Sequence, residues 1–338
     1  MRIYKHLKSR QITILIILGV VSVVAFILSL LFGSFNIPVL NMLSGNATTL
    51  QIEILSQIRG PRVVLTIFVG AALGISGAAL QGLFRNPLAD PGLIGVSAGA
   101  ALGAVLAIIF SSNLLPTISL GVYAVPLSAT VGSGVVIALL FFLTRGFTQA
   151  GITYMLLVGI AVNALATVGI GLLTFISTDS QLRGLTFWLM GSFGGARWSL
   201  IIPAIFIISL AIGFMLSYSR RLDLMQLGEN EARRLGVNVN RVKIIIILSA
   251  AFMIGASVSL SGIIGFVGLV VPHLVRLLGG PNHTYLLAGS ALLGGGIMML
   301  ADLTSRIVIQ PAELPVGLAT SALGAPFFLW LVLRLKKS

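Results

Sequence analysis

The chain has no cysteine, eight acidic residues among 338, and three histidines. Without cysteine there is no disulfide framework, no thiolate metal site and no thiol nucleophile, and His6, His273 and His283 stand too far apart to form a local metal cluster. No metal site is therefore expected. Charged residues make up only 9% of the chain against 57% hydrophobic, too little polar surface to coat a soluble globule of this length. The implied solvent is lipid. No H-E-x-x-H, G-x-S-x-G or aspartate-rich phosphate-binding pair occurs, so membrane-enzyme chemistry has no residues to run on. A G-x-x-x-x-G-K-[ST] loop is also missing, and no Gly-Lys dipeptide exists anywhere, so the chain has no means of cradling ATP. What is plentiful is positive charge, a formal +13. It sits in short clusters between apolar runs without interleaved aromatics, which excludes a nucleic-acid surface and fits positive-inside membrane orientation.

A bilayer core of roughly 30 Å takes about 20 helical residues. Cutting the apolar runs at charges, prolines and polar clusters gives ten spans, approximately 11–33, 62–84, 91–111, 117–144, 150–175, 198–218, 241–260, 262–278, 284–308 and 314–334. The first follows Arg2, Lys5, Lys8 and Arg10 like a signal peptide, but its 21 apolar residues from Ile12 to Phe32 carry no small-residue cleavage site, so it is expected to be retained. Between Lys243 and Arg276 lie 32 uncharged residues. That is about 48 Å of helix, long for one crossing and short for two. Charge arbitrates: ten spans put sixteen of the 21 basic residues inside and leave Arg59, Arg62, Arg183, Arg197 and Arg306 outside, whereas nine spans give thirteen against eight. The eighth span is then short, a broken helix behind Ser259-Leu260-Ser261-Gly262. Both termini are then expected on the cytoplasmic side of the membrane.

Val69-Gly70-Ala71, Ser76-Gly77 and Pro87 recur 185 residues later as Ile254-Gly255-Ala256, Ser261-Gly262 and Pro272. Val158-Gly159, Ala161 and Ala164-Leu165 recur 158 residues later as Val316-Gly317, Ala319 and Ala322-Leu323. Spans two to five thus pair with spans seven to ten in opposite orientation, the inverted-repeat pattern of transporters. The fold expected is all-α: one polytopic permease domain over residues 1–338 with about ten transmembrane helices and a cytoplasmic loop at about 220–240. Gly70 and Gly74 form one G-x-x-x-G, and Gly95, Gly99 and Gly103 form two in series, expected to pack helices within one subunit.

Three segments carry information beyond span-forming hydrophobicity. Arg59-Gly60-Pro61-Arg62 leads into the second span, which ends at the turn Arg85-Asn86-Pro87-Leu88-Ala89-Asp90-Pro91-Gly92, where two prolines stop the helix. The polar stretch from Arg220 to Lys243 places Leu224, Leu227, Glu231 and Leu235 near helical spacing, with Gly228 and Gly236 able to punctuate two short helices; such a pattern in a charged loop fits docking on another protein. In the last quarter, Asp302 and Arg306 stand at i and i+4, so an intramembrane acid finds an ion-pair partner on its own helix. His273 beside Pro272 reads as a capping or interface residue.

Together these segments resemble the permease subunits of type II ABC importers for ferric siderophores, haem and cobalamin. The resemblance spans about Ile52 to Arg334 and rests on R-G-P-R at 59–62, S-G-A-A-L-Q at 76–81, R-N-P-L-A-D-P at 85–91, L-G-x-x-x-A-x-x-L-G at 227–236, F-V-G-L-x-x-P-H at 266–273, A-D-x-x-S-R at 301–306 and E-L-P-V-G at 313–317. It implies a non-enzymatic permease, most of all for ferric siderophores, paired with an identical or related permease and driven by two cytoplasmic ATPase subunits that hold the ATP and magnesium. The loop carrying Leu227, Gly228, Glu229, Ala232, Arg233, Leu235 and Gly236 would couple to the ATPase. Arg59, Arg62 and Arg306 would receive glutamates of an extracytoplasmic substrate-binding protein, and Asn86, Leu88 and Thr153 would form the cytoplasmic gate. Haem or cobalamin is the alternative cargo within the family. An ion-coupled secondary carrier is the rival outside it, but it calls for several intramembrane ionisable groups and only Asp302 qualifies.

Overall fold

The computed structural model describes residues 7–35, 48–114, 121–143 and 151–335. Its elements are all helical. They are α1 (Ser9–Leu31), α2 (Thr49–Glu53), α3 (Gly60–Phe84), α4 (Val96–Leu114), α5 (Ala124–Leu143), α6 (Gly151–Phe175), α7 (Asp179–Leu189), α8 (Trp198–Ser217), α9 (Ser219–Met225), α10 (Glu229–Arg234), α11 (Val239–Ser261), α12 (Val267–Gly279), α13 (His283–Ile307) and α14 (Val316–Leu335). Seven of the helical segments are long and apolar enough to cross a membrane, and with the apolar helices α4, α12 and α14 they match the ten expected spans.

The doubtful pair resolves as two elements. Helix α11 stops at Ser261 because Gly262 adopts φ +68°, and α12 begins only at Val267, after Phe266 at φ +67°. At 13 residues α12 is about 20 Å long, too short to cross hydrocarbon alone. The expected third span also starts later than its sequence: Pro91–Ile94 forms a 3₁₀ turn, Gly95 follows at φ +86°, and α4 starts at Val96. Helix α7 was not anticipated, although Thr178 caps it by accepting from Gln181 N while the Gln181 side chain reaches back to Thr178 N.

Burial sorts the helices into an inner set and an outer set. Helices α3, α11 and α13 are mostly enclosed, whereas α1, α5, α6 and α8 expose most of their apolar surface. Helix α3 packs on α13, α11, α12 and α8; α1 lies against α13, and α4 gathers α5 and α6 beside α11. Glycine decides the closest of these contacts. A β-carbon added at Gly70 would collide with the backbone of Gly294, one at Gly74 with Ser290 O, and one at Gly77 with Gly268 O. Gly99 and Gly103 similarly meet Gly132 and Ser128 of α5. The small-residue faces therefore join helices of one chain, as expected.

Chain direction defines two ends. At one, Arg10 and Gln11 of α1 donate to Leu278 O and Gly279 O at the close of α12, 3.1 and 2.8 Å away, and Gln226 donates to Gly82 O at 2.8 Å. At the other end, Arg59 donates to Leu30 O and Leu31 O, and Trp198 Nε1 to Ser56 O. Helix α3 runs between the two ends over 25 residues, about 37 Å.

Gly70→Leu is expected to cost about 3 kcal/mol or more through overpacking against α13, read as a fall in thermal stability in detergent. Gly213→Ala, which has open space on α8, is expected to change stability by less than about 0.5 kcal/mol. Equal stability of the two variants would contradict the packing described.

Candidate functional site

Charged side chains gather at the two ends of the bundle. At the first end, α9 and α10 form a projecting handle. Gly228 at φ +107° opens α10 and Gly236 at φ +83° closes it, the two breaks expected from sequence. Leu227 and Leu235 point into solvent, 62% and 58% exposed, while Leu222, Met225, Ala232 and Val237 are buried beneath. Neither leucine is enclosed by the described part of the chain.

The handle is tied down by ionic contacts. Lys243, fully buried at the start of α11, places Nζ 2.6 Å from Glu229 Oε1, and Arg233 lies 3.9 Å from the other carboxylate oxygen. Glu231 pairs with Arg234 at 2.8 Å on the exposed side. Asp223 of α9 accepts from the backbone N–H of His283 at 2.8 Å and lies 2.7 Å from its Nδ1.

The turn between α3 and α4 lies at the same end. Arg85 takes φ +51° to end α3, and exposed Asn86 accepts from Leu88 N at 2.9 Å, fixing a tight turn that leaves Leu88 exposed. Asp90 caps the following turn, its Oδ1 accepting from Gly92 N at 2.6 Å. Burial lifts the Asp90 carboxyl above the ordinary carboxylate range, and the Gly92 bond opposes that shift. Thr153 lies in the first turn of α6, and its side chain is outside the described residues.

At the opposite end three arginines converge. Arg62 is forked on Asp302, with Nε at 3.0 Å and Nη2 at 2.8 Å from Oδ1, and its Nη1 meets Glu313 at 2.9 Å. Asp302 is completely buried, whereas the Glu313 side chain is 37% exposed. Arg306 places Nε 3.1 Å from Asp302 Oδ2, an ion pair outside hydrogen-bond geometry, and directs Nη2 to Ser29 Oγ and O at 2.7 and 3.0 Å. Among the described residues no carboxylate pairs with Arg59; its guanidinium donates to the carbonyls of Leu30, Leu31 and Phe35. Arg59 and Arg306 approach Gly33 together, so two like charges sit side by side.

The structure adds burial and a more distant ion-pair partner to the expected placements. Arg59, Arg62 and Arg306 lie at one end, opposite the handle, but all three are buried and bonded inside the chain, so they do not form an open surface patch. Asp302 does pair with Arg306, yet Arg62, 240 residues away, holds it more closely. His273 takes the interface place of its two expected ones, lying inside α12 with its ring 6.2 Å from that of Phe327 in α14. Sequence spacing found the i,i+4 partner and missed Arg62, Glu313, Lys243 and the Asp223–His283 pair, because each joins segments remote in sequence. Among the described residues no group of histidine or acidic side chains could hold a metal ion.

Residues 20–334 match the FecCD transport family. The chain belongs to that family. It is accordingly a permease of the type II ABC-importer class and not an enzyme. It is 48% identical over 278 residues to the hemin transport system permease of Yersinia pestis, covering 82% of each chain. It is 38% identical over 335 residues to the vitamin B12 import system permease of Serratia proteamaculans, covering 98% and 95%. A metal-chelate type ABC transporter solved in an inward-facing conformation superposes with a TM-score of 0.84 at 33% identity, over 95% of this permease and 99% of that chain.

For this permease, Asp302→Asn leaves Arg62 and Arg306 buried with too little negative charge. It is expected to destabilise the protein by about 3–5 kcal/mol, measured by thermal denaturation in detergent. Glu313→Gln removes a partly solvated partner and is expected to cost about 1 kcal/mol or less. A reversed order would contradict the assignment of Asp302 as the central acid.

Proposed function

We propose that this chain is the haem-conducting permease subunit of an ATP-driven importer. The similarity that supports this cargo is the 48% identity with a hemin permease, against 38% with a cobalamin permease. Haem therefore takes the place of the ferric siderophore that the motifs alone favoured.

In this proposal the handle faces the cytoplasm. Basic residues support that orientation: Lys8, Arg10, Arg85, Arg220, Arg221, Arg233, Arg234, Arg241, Lys243 and Arg276 lie toward the handle end. Leu227 and Leu235 would enter a groove on an ATPase subunit that supplies the ATP and magnesium, with Glu229, Ala232 and Arg233 shaping the helix that presents them. A second permease subunit would cover part of the apolar surface of α6 and α14, where Leu165, Phe175 and Leu323 are 73%, 88% and 71% exposed. Transport would proceed by alternating access, with the turn at Asn86 and Leu88 and the start of α6 near Thr153 as the inner gate. The exchanged packing of α3 on α12 and α13, and of α11 on α4 and α5, supports treating spans two to five and seven to ten as inverted halves.

The outer cluster supports docking of a carboxylate-bearing binding protein through charge arithmetic. Among the described residues three guanidinium groups face two carboxylates, and the one without an acid, Arg59, sits beside Arg306. An incoming carboxylate would neutralise the excess.

Uptake by vesicles holding the permease with its ATPase and binding protein tests the whole proposal, using radiolabelled haem, cobalamin and a ferric siderophore in parallel. ATP-dependent haem uptake is expected to exceed the other two, and Arg59→Glu is expected to lower it about tenfold. Uptake that survives ATP depletion, or cobalamin uptake above haem, would overturn it.

A further inference from the structure

The handle joins the bundle through more than its chain ends. Asp223 Oδ1 takes two bonds from one residue of α13, the backbone N–H and the ring Nδ1 of His283, and Asn282 Nδ2 reaches Asp223 Oδ2 at 3.4 Å. One turn earlier, Ser219 Oγ lies 3.1 Å from Thr284 Oγ1, both side chains buried. The His283 ring, itself 3% exposed, fills the space beside Gly82, where any β-carbon would strike Nε2. Gln226 then bonds Gly82 O. Helix α9 is thus fixed simultaneously to the first turn of α13 and the last turn of α3.

Those two helices are the pair whose backbones touch across Gly70, Gly74, Ser290 and Gly294. With glycine at the closest approach, they have little freedom to slide or rotate independently. Their far ends carry Arg62 on α3 and Asp302 and Arg306 on α13, cross-linked by the fork described above. A continuous chain of close contacts therefore runs from α9 to the arginine cluster.

We infer that Asp223 and His283 are positioning residues that make the handle and the α3–α13 pair one rigid body, so that displacement of the handle is delivered to the outer cluster. This rests on the permease proposal above. The pair touches neither cargo nor nucleotide; its task is to keep α9 from hinging when α10 is pulled. Without it, ATP hydrolysis continues while transport fails.

The absence of native cysteine permits a direct test with the permease, its ATPase and its binding protein in vesicles, reading haem uptake and ATP hydrolysis together. Asp223→Asn is expected to keep hydrolysis within about twofold and lower uptake about tenfold. Adding Ser219→Cys and Thr284→Cys is expected to restore uptake under oxidation, as the disulfide replaces the lost joint, and reductant is expected to abolish the gain. Unchanged uptake in Asp223→Asn would overturn the inference, as would hydrolysis and uptake falling in parallel. If Asp223→Asn does not fold, the same cysteine pair in the otherwise native chain decides: full uptake when bridged supports a rigid joint, and loss of uptake contradicts it. Absence of haem uptake by the native complex would instead count against the permease proposal.

Discussion

Helices α3 and α13 approach until their backbones touch, at Gly70 against Gly294 and at Gly74 against Ser290. Lipid tails are as apolar as leucine, so hydrophobic burial alone does not draw helices together in a bilayer. Close packing and hydrogen bonding must do it, and a glycine seam maximises the first. Once α3 and α13 are joined, their ends are fixed relative to each other over the thickness of the membrane. The arginine fork at one end and the Asp223–His283 joint at the other depend on that registration.

Charge follows from the same solvent. An ionised side chain in hydrocarbon is tolerated only when paired or drawn to an interface. Asp302 satisfies this with two guanidinium groups, and Lys243, fully buried, with Glu229. Both networks are more than neutral anchors. The outer one holds an extra positive charge near Gly33, and the handle presents exposed leucines above its buried ion pair.

Much of this was legible in the sequence. The ten spans followed from hydrophobic length and the positive-inside rule, and the break between α11 and α12 from the serine-glycine stretch at 259–262. Gly228 and Gly236 marked the short helix between them because only a residue without a β-carbon takes those positive φ values cheaply. What could not be read was pairing between distant segments. Asp302 has a visible neighbour four residues on, but its closest partner lies 240 residues earlier, and no periodicity encodes that contact. The burial of Arg59, Arg62 and Arg306 was hidden for a related reason: positive-inside counting assigns a side of the membrane and says nothing about depth. Helix α7 did leave a trace, the Thr178 to Gln181 capping box, within a stretch too polar to count as a span.

The central claim is that the handle and the arginine cluster face opposite sides of one membrane. Because the chain has no cysteine, a single thiol can be placed at Leu235 on the handle or at Gly195, an open and exposed position near Glu313 at the other end. With an impermeant thiol reagent added to intact cells, Gly195→Cys is expected to be labelled at once and Leu235→Cys only after the membrane is breached. Labelling of both from the same side would contradict the account.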